Sequence, residues 1–205
     1  MGLDKTGIHF LRHSQKMGVD FARTAMIGRQ TMRQADGSFA SSEDLLFSLG
    51  AKEVHSFDKS GYEGATHIFD LNKPIPATFF ERYSVVLDGG SLEHIFNFPV
   101  AIKNCMEMLC VGGHYLSISP ANNFFGHGFY QFGPEAYSKV FAPDNGFKMV
   151  FQAVCKSGQD AEWHSIGEKN HTSTTNAPLY LLTIAKRMER AAIFGKMPIQ
   201  EIYEK

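Results

Sequence analysis

Three aspartates sit at the ends of short β-rich apolar runs: Asp58 closes residues 53–58, Asp70 falls in 66–71, and Asp88 closes 83–88. Carboxylates held at strand ends can accept hydrogen bonds from the hydroxyls of a ligand. A fourth run, residues 24–28, ends on Gly28, where a missing side chain lets a ligand come close to the backbone. His127 stands between Gly126 and Gly128, with Tyr130 and Gln131 just beyond. Histidine titrates near neutral pH and is the commonest general base, so His127 is a candidate catalytic or substrate-contacting residue.

These residues need a frame that holds them together. Ser41 with Asp44 three positions on marks a helix start, and Gly50 a stop, which predicts a short helix between them. Residues 99–109 carry Ile102, Cys105, Met106 and Leu109 at helical spacing, with Pro99 suited to the first turn. Further strands are predicted over 114–119, closed by Pro120, and over 147–154 and 179–185, the last two flanking a polar loop at about 158–176. Strands alternating with helices argue for a parallel α/β sheet covered on both faces, and two late strands without a helix between them argue for an antiparallel edge pair. Open sheets of this kind bind ligands beyond the carboxyl ends of their strands. Gly28, Asp58, Asp70 and Asp88 all fall on that rim.

Composition narrows the classes. The chain has 205 residues, a net charge of −1 and 20% charged residues, which argues against a nucleic-acid binder working by bulk electrostatics. One domain over 1–205 is expected, with 1–23 as a helical lead-in and 121–146 as an aromatic loop insertion over the site. No apolar stretch approaches the roughly 20 residues of a membrane span. The N-terminus lacks an apolar signal region, so a cytoplasmic location is expected. Three cysteines fit reduced, buried thiols. Phe, at 18 residues, and His, at 9, are in surplus, and the set Phe124, Phe125, Phe129, Tyr130 and Phe132 is dense. Those rings either pin a loop to the core or wall a pocket.

The order of features resembles the class I S-adenosylmethionine-dependent methyltransferases. The stretch Tyr83-Ser-Val-Val-Leu-Asp-Gly-Gly-Ser-Leu-Glu-His-Ile95, followed by Ala101-Ile102 and by Met108-Leu-Cys-Val-Gly-Gly-His-Tyr-Leu116, is similar to that superfamily's fourth strand, following helix, "LkpGG" turn and fifth strand. The resemblance implies a Rossmann-like, doubly wound, mostly parallel seven-stranded sheet with an antiparallel edge strand, and S-adenosyl-L-methionine as cofactor. It implies Asp58 on the ribose hydroxyls, Asp70 with Leu71 at the adenine, and Asp88 as the fourth-strand aspartate. It also brings His94 to the rim. The family's Gly-x-Gly-x-Gly turn is reduced here to Gly28-Arg29-Gln30-Thr31-Met32, and Arg29 or Gln30 would meet the methionine carboxylate. A second stretch, Gly126-His-Gly-Phe-Tyr-Gln-Phe-Gly-Pro-Glu135, resembles segments of bacterial methyltransferase-like proteins associated with surface-sugar pathways.

The function so implied is methyl transfer to a small-molecule acceptor, a sugar or sugar-derived hydroxyl being favoured, with His127, His94 or Tyr130 orienting or deprotonating it. No nucleic-acid or membrane partner is expected, and a homodimer is neither required nor excluded. The alternative is a non-catalytic protein of this fold that binds a partner or regulatory ligand, motivated by the lost glycines. A nicotinamide-dependent oxidoreductase fits less well, because the glycine fingerprint is equally poor for that cofactor. No metal site is expected. His9 and His13 share a face if their segment is helical, but no third ligand can be named, and a solvated face is the expectation. Glu162, His164, Glu168 and His171 are expected in a surface loop.

Overall fold

The computed structural model describes residues 2–32, 39–157, 163–166 and 176–203. The first half of the chain runs β1 (Gly2–Leu3), α1 (Lys5–Lys16), β2 (Arg23–Ile27), β3 (Thr31–Met32), α2 (Ser42–Ser48), β4 (Glu53–Asp58), β5 (His67–Ile68) and β6 (Tyr83–Asp88). The second half runs α3 (Phe98–Met108), β7 (Leu109–Asn122), α4 (Pro134–Val140), β8 (Phe147–Lys156), β9 (His164–Ser165) and β10 (Leu179–Arg187). The main sheet has the order β5-β4-β2-β6-β7-β10-β8-β9. Strands β5, β4, β2, β6 and β7 pair in parallel, whereas β10 lies antiparallel between β7 and β8. The predicted antiparallel pair is therefore present, one place in from the edge, and the two-residue β9 covers β8 beyond it. That small strand takes the sheet from the expected seven strands to eight.

Central parallel strands buried on both faces read as continuous apolar runs. Every residue of β6 is buried, and four of the five in β2 are. On one face Phe10 and Leu11 of α1 and Leu45 and Leu46 of α2 pack on Met26, Val85, Leu87 and Leu116. On the other, Ile102, Cys105 and Met106 of α3, Tyr137 of α4 and Phe141 just after it pack on Ala25, Ile27, Val86 and Tyr115. Each fully buried side chain of this size contributes about 1.5–3 kcal/mol, so neither face tolerates a slipped helix. The Ser41 hydroxyl caps α2 by accepting from the Asp44 backbone N–H at 3.1 Å, as its spacing predicted.

The segment 121–146 expected as a loop carries α4, and two predicted strands also differ from the sequence expectation. The strand expected over 66–71 pairs only through His67 and Ile68, because Asp70 and Asn72 bend the chain away in an Asx turn. Pro120 does not close the fifth strand: β7 continues to Asn122 across a register shift at Leu179 and Tyr180, which accommodates the missing N–H. The Pro120 carbonyl there accepts the Phe132 N–H at 2.8 Å and ties the following loop back onto the strand. Asn123 starts that loop with φ +58°, a left-handed turn that Asn accommodates better than most residues.

Candidate functional site

The carboxyl ends of β2, β4, β5 and β6 frame a cavity of about 430 Å³, within the range of small-molecule and cofactor sites. It is lined by Gly28 and Asp58, by Phe69, Asp70, Leu71 and Asn72, and by Ser91, His94, Ile95 and Phe96. Phe129 reaches over from the loop after β7. The walls are aromatic and aliphatic, with the carboxylates of Asp58 and Asp70 as hydrogen-bond acceptors, a lining suited to an apolar ring bearing hydroxyls. Asp58 keeps its place through an Asx turn, its Oδ1 accepting the Ser60 N–H at 2.9 Å. Asp70 is held likewise by the Asn72 backbone N–H at 3.1 Å and side-chain amide at 2.7 Å, and both bonds lower its pKa.

The structure brings Gly28, Asp58, Asp70, Leu71 and His94 to this cavity and places the other predicted residues elsewhere. Arg29 turns outward: its Nε donates to Glu43 Oε1 at 2.8 Å and its Nη1 to the Glu63 carbonyl at 2.5 Å. Gln30 is buried under the turn, with Nε2 donating to the Ile27 carbonyl at 3.1 Å and to Ser91 Oγ at 3.2 Å. Gly28 has φ +69°, and a Cβ there would lie 2.5 Å from Ser91 Oγ. The single surviving glycine thus answers to Ser91, and the Gln30 amide fills the space beneath the turn.

Asp88 is fully buried behind the cavity wall, its Oδ1 accepting the Ser91 N–H at 2.7 Å and the Leu92 N–H at 3.3 Å, and its Oδ2 the Tyr115 hydroxyl at 3.3 Å. Burial pushes its pKa up to about 6 against those hydrogen bonds. It shapes the 3₁₀ turn Leu92–His94 from behind. Tyr130 donates its hydroxyl to the Phe96 carbonyl at 2.6 Å and packs beside Phe98 and Phe132, supporting the aromatic wall from outside. The aromatic set divides: Phe132 is core, Phe124 stacks on Tyr180, Phe129 lines the cavity and Phe125 is fully exposed.

His127 lines a smaller recess next door, with Glu93, Gly89, Gly90, Pro120 and Tyr180. Its Nε2 is 3.7 Å from Glu93 Oε1, and His94 Nε2 is 3.8 Å from the same oxygen. Glu93 is 1% exposed, and burial beside the Asp88 charge pushes its pKa up to about 8. Burial and the neighbouring His127 lower the pKa of His94. Glu93 went unremarked in the sequence, although it is the acidic residue beside His94 in the quoted stretch. Its partner His127 lies 34 positions on, and only the loop return joins them. On the expected solvated face His9 is exposed and His13 half-buried, and Trp163 packs beside both rings, at 4.7 and 5.0 Å between centroids. His164 is exposed in β9, whereas Glu162, Glu168 and His171 lie outside the described residues.

No family model matches the chain, and no curated protein matches it in sequence. Solved structures do match in shape. A candidate S-adenosylmethionine-dependent methyltransferase of Listeria monocytogenes aligns with a TM-score of 0.56 at 17% identity, over 89% of this chain and 98% of that one. The N-methyltransferase NodS of Bradyrhizobium japonicum aligns with a TM-score of 0.51 at 16% identity, over 91% and 100%. The chain has the class I methyltransferase fold. The branched-chain polyamine synthase of Thermus thermophilus also aligns, at a TM-score of 0.53 and 11% identity, but only 62% of its length is covered. Between β4 and β6 the chain has β5, loops and one 3₁₀ turn, Ala77–Phe79, and no α-helix among the described residues. No helix among the described residues is long and apolar enough to cross a membrane.

Proposed function

We propose that the protein is an S-adenosylmethionine-dependent methyltransferase that modifies a hydroxyl of a small polyol, of which a sugar is the favoured case. The cavity that collects Gly28, Asp58, Asp70, Leu71 and His94 at the carboxyl rim carries this reading. Asp58 would hold the ribose hydroxyls, and Phe69, Asp70 and Leu71 would border the adenine, with Ile95 opposite. Bound there, the cofactor supplies a methyl carbon on a positively charged sulfur, which departs as a neutral thioether when an acceptor lone pair bonds to that carbon. Phe96 and Phe129, an edge-to-face pair 5.5 Å apart between ring centroids on the cavity lining, would offer aromatic surface to the C–H face of a sugar ring. The acceptor hydroxyl would lie at the His94 end of the cavity. In-line transfer asks mainly for alignment, which rigid strand ends and a pinned loop provide.

Calorimetric titration with S-adenosylhomocysteine, the demethylated product, tests the reading. Saturable binding at one site per chain supports it, and no heat at millimolar ligand overturns it. Such a failure would leave the non-catalytic binding protein as the better account.

A further inference from the structure

We propose that Glu93, His94 and His127 form a binding site for one divalent transition-metal ion, on the border between the cofactor cavity and the recess beside it. One ligand atom from each residue falls within 4.8 Å of the other two, and no ion is present. The two imidazole nitrogens stand 3.8 and 3.7 Å from Glu93 Oε1, too far for a direct hydrogen bond. Three donors bound to a common ion at about 2.1 Å are separated by roughly 3–3.5 Å, so the two imidazole–carboxylate distances close by a few tenths of an ångström and the imidazole–imidazole distance, within 4.8 Å, by no more than about 1.8 Å of side-chain rotation. Two imidazoles and one carboxylate select Zn²⁺, Fe²⁺, Co²⁺ or Mn²⁺ over Mg²⁺ and Ca²⁺, which prefer all-oxygen sites.

An independent observation points the same way. The Glu93 side chain is 1% exposed, yet its Oε2 has no hydrogen-bond partner. A carboxyl group taken out of water and left unpaired is costly, and such groups are normally paired or bound to metal. The chain also invests in holding it there. The Glu93 carbonyl accepts the Phe129 N–H at 2.8 Å and the Tyr130 N–H at 3.3 Å, which docks the loop of His127 on the turn of Glu93 and His94. A Cβ on Gly128 would lie 2.8 Å from that same carbonyl oxygen. The glycine after His127 is therefore required for the approach. Among the described residues no other trio of His, Cys, Asp and Glu converges in this way.

Three protein ligands leave coordination positions open, as catalytic rather than structural sites do. His94 lines the cofactor cavity and His127 the recess, so the open positions lie between the two. This part of the inference rests on the methyltransferase reading: a vicinal pair of hydroxyls, as on a sugar ring, would occupy them. The ion would lower the pKa of one hydroxyl, whose proton passes to water. Its oxygen lone pair would then form the bond to the methyl carbon as the carbon–sulfur pair returns to sulfur.

The test uses the full chain, stripped with chelator and titrated with Zn²⁺ and Co²⁺. One ion per chain, with visible Co²⁺ ligand-field bands shifted by nitrogen ligands, is expected. His127→Ala and Glu93→Gln should each weaken binding by at least about 10-fold, while His13→Ala should not. Wild-type chain that binds neither ion at millimolar concentration overturns the site. So does unchanged affinity in a folded His127→Ala, a variant at a solvent-exposed loop residue expected to leave the melting temperature intact. His94→Gln carries the same test should Glu93→Gln fail to fold. S-adenosylhomocysteine titrated into the stripped protein separates the two ideas. Product binding without metal binding sinks the ion site alone, and metal binding without product binding sinks the methyltransferase reading alone.

Discussion

The two ends of the candidate site are built by opposite means. At the Asp58 and Asp70 end, each carboxylate is held by the backbone two residues on, through Asx turns encoded within a few positions. At the Glu93 end nothing local suffices. Glu93 is buried by a loop that returns from the far end of β7, and His127 reaches it only because Gly128 permits contact with the Glu93 carbonyl. The first end is satisfied in isolation; the second keeps a buried carboxylate oxygen without a partner. A locally built end tolerates substitution elsewhere in the molecule, whereas an end assembled across 34 positions depends on each contact that closes the loop.

The largest effect is expected where that closure is broken. Gly128→Val places side-chain atoms against the Glu93 carbonyl and Cγ, at 2.8 and 3.2 Å for the Cβ alone, and must push the loop outward. Displacing a reacting group by about 1 Å can cost roughly 100-fold in rate. Methyl transfer, followed by liquid chromatography of the product nucleoside, should fall by about that factor while S-adenosylhomocysteine affinity stays within about twofold. If both fall together, the two ends are not independent and the comparison fails.

Asp58→Ala acts on the other end. A hydrogen bond to a charged group contributes about 1.5–3 kcal/mol, so product affinity should weaken by roughly 10- to 100-fold by calorimetry. Metal affinity should be unchanged, since Asp58 touches neither Glu93 nor either histidine. The converse result, intact product binding with lost metal binding, would move the cofactor to the wrong side of the cavity.

This contrast also explains what could be read from the sequence. Strand ends at Asp58 and Asp88 and the cap at Ser41 depend on neighbours in the chain, so their elements appear in the pattern of residues. The mostly parallel sheet with its antiparallel pair follows from the same alternation together with the resemblance, whereas its strand order does not. Glu93 was not legible, because an acidic residue in an apolar stretch reads as a solvated position until the returning loop buries it. Tyr130 and His127 lie three positions apart in the same loop, yet one braces Phe96 and the other faces Glu93. Pattern alone does not separate them. Asp88 misled in another way: its place at a strand end suits a ligand, but the Ser91 and Leu92 N–H groups fold over it first.

Gly28 tests whether the glycine turn serves the ligand or the fold. Gly28→Ala combines a left-handed φ of +69° with a Cβ 2.5 Å from Ser91 Oγ. Strain of this kind costs about 1–3 kcal/mol, to be read in urea unfolding. Adding Ser91→Ala should recover the steric part and leave the backbone part. If the double variant is no more stable than the single one, Ser91 is not what demands the glycine.

The smallest effect is expected at Arg29, and it separates the family's pattern from this chain's structure. By sequence Arg29, standing where the family's pattern has glycine-turn positions, is one of two candidates for the methionine carboxylate, where a charge-assisted pair contributes strongly. Here the side chain instead faces Glu43 and the Glu63 carbonyl, and it does not line the cavity. With the Arg29 side chain 36% exposed, its pair with Glu43 is of the partly solvated kind that contributes about 0–1 kcal/mol. Arg29→Ala should therefore leave S-adenosylhomocysteine affinity within about threefold and lower stability by no more than about 1 kcal/mol. A loss of 10-fold or more in affinity would mean that ligand draws Arg29 away from Glu43 and into the cavity. The locally built end would then rearrange on binding, and the division between a preformed end and an assembled one would no longer hold.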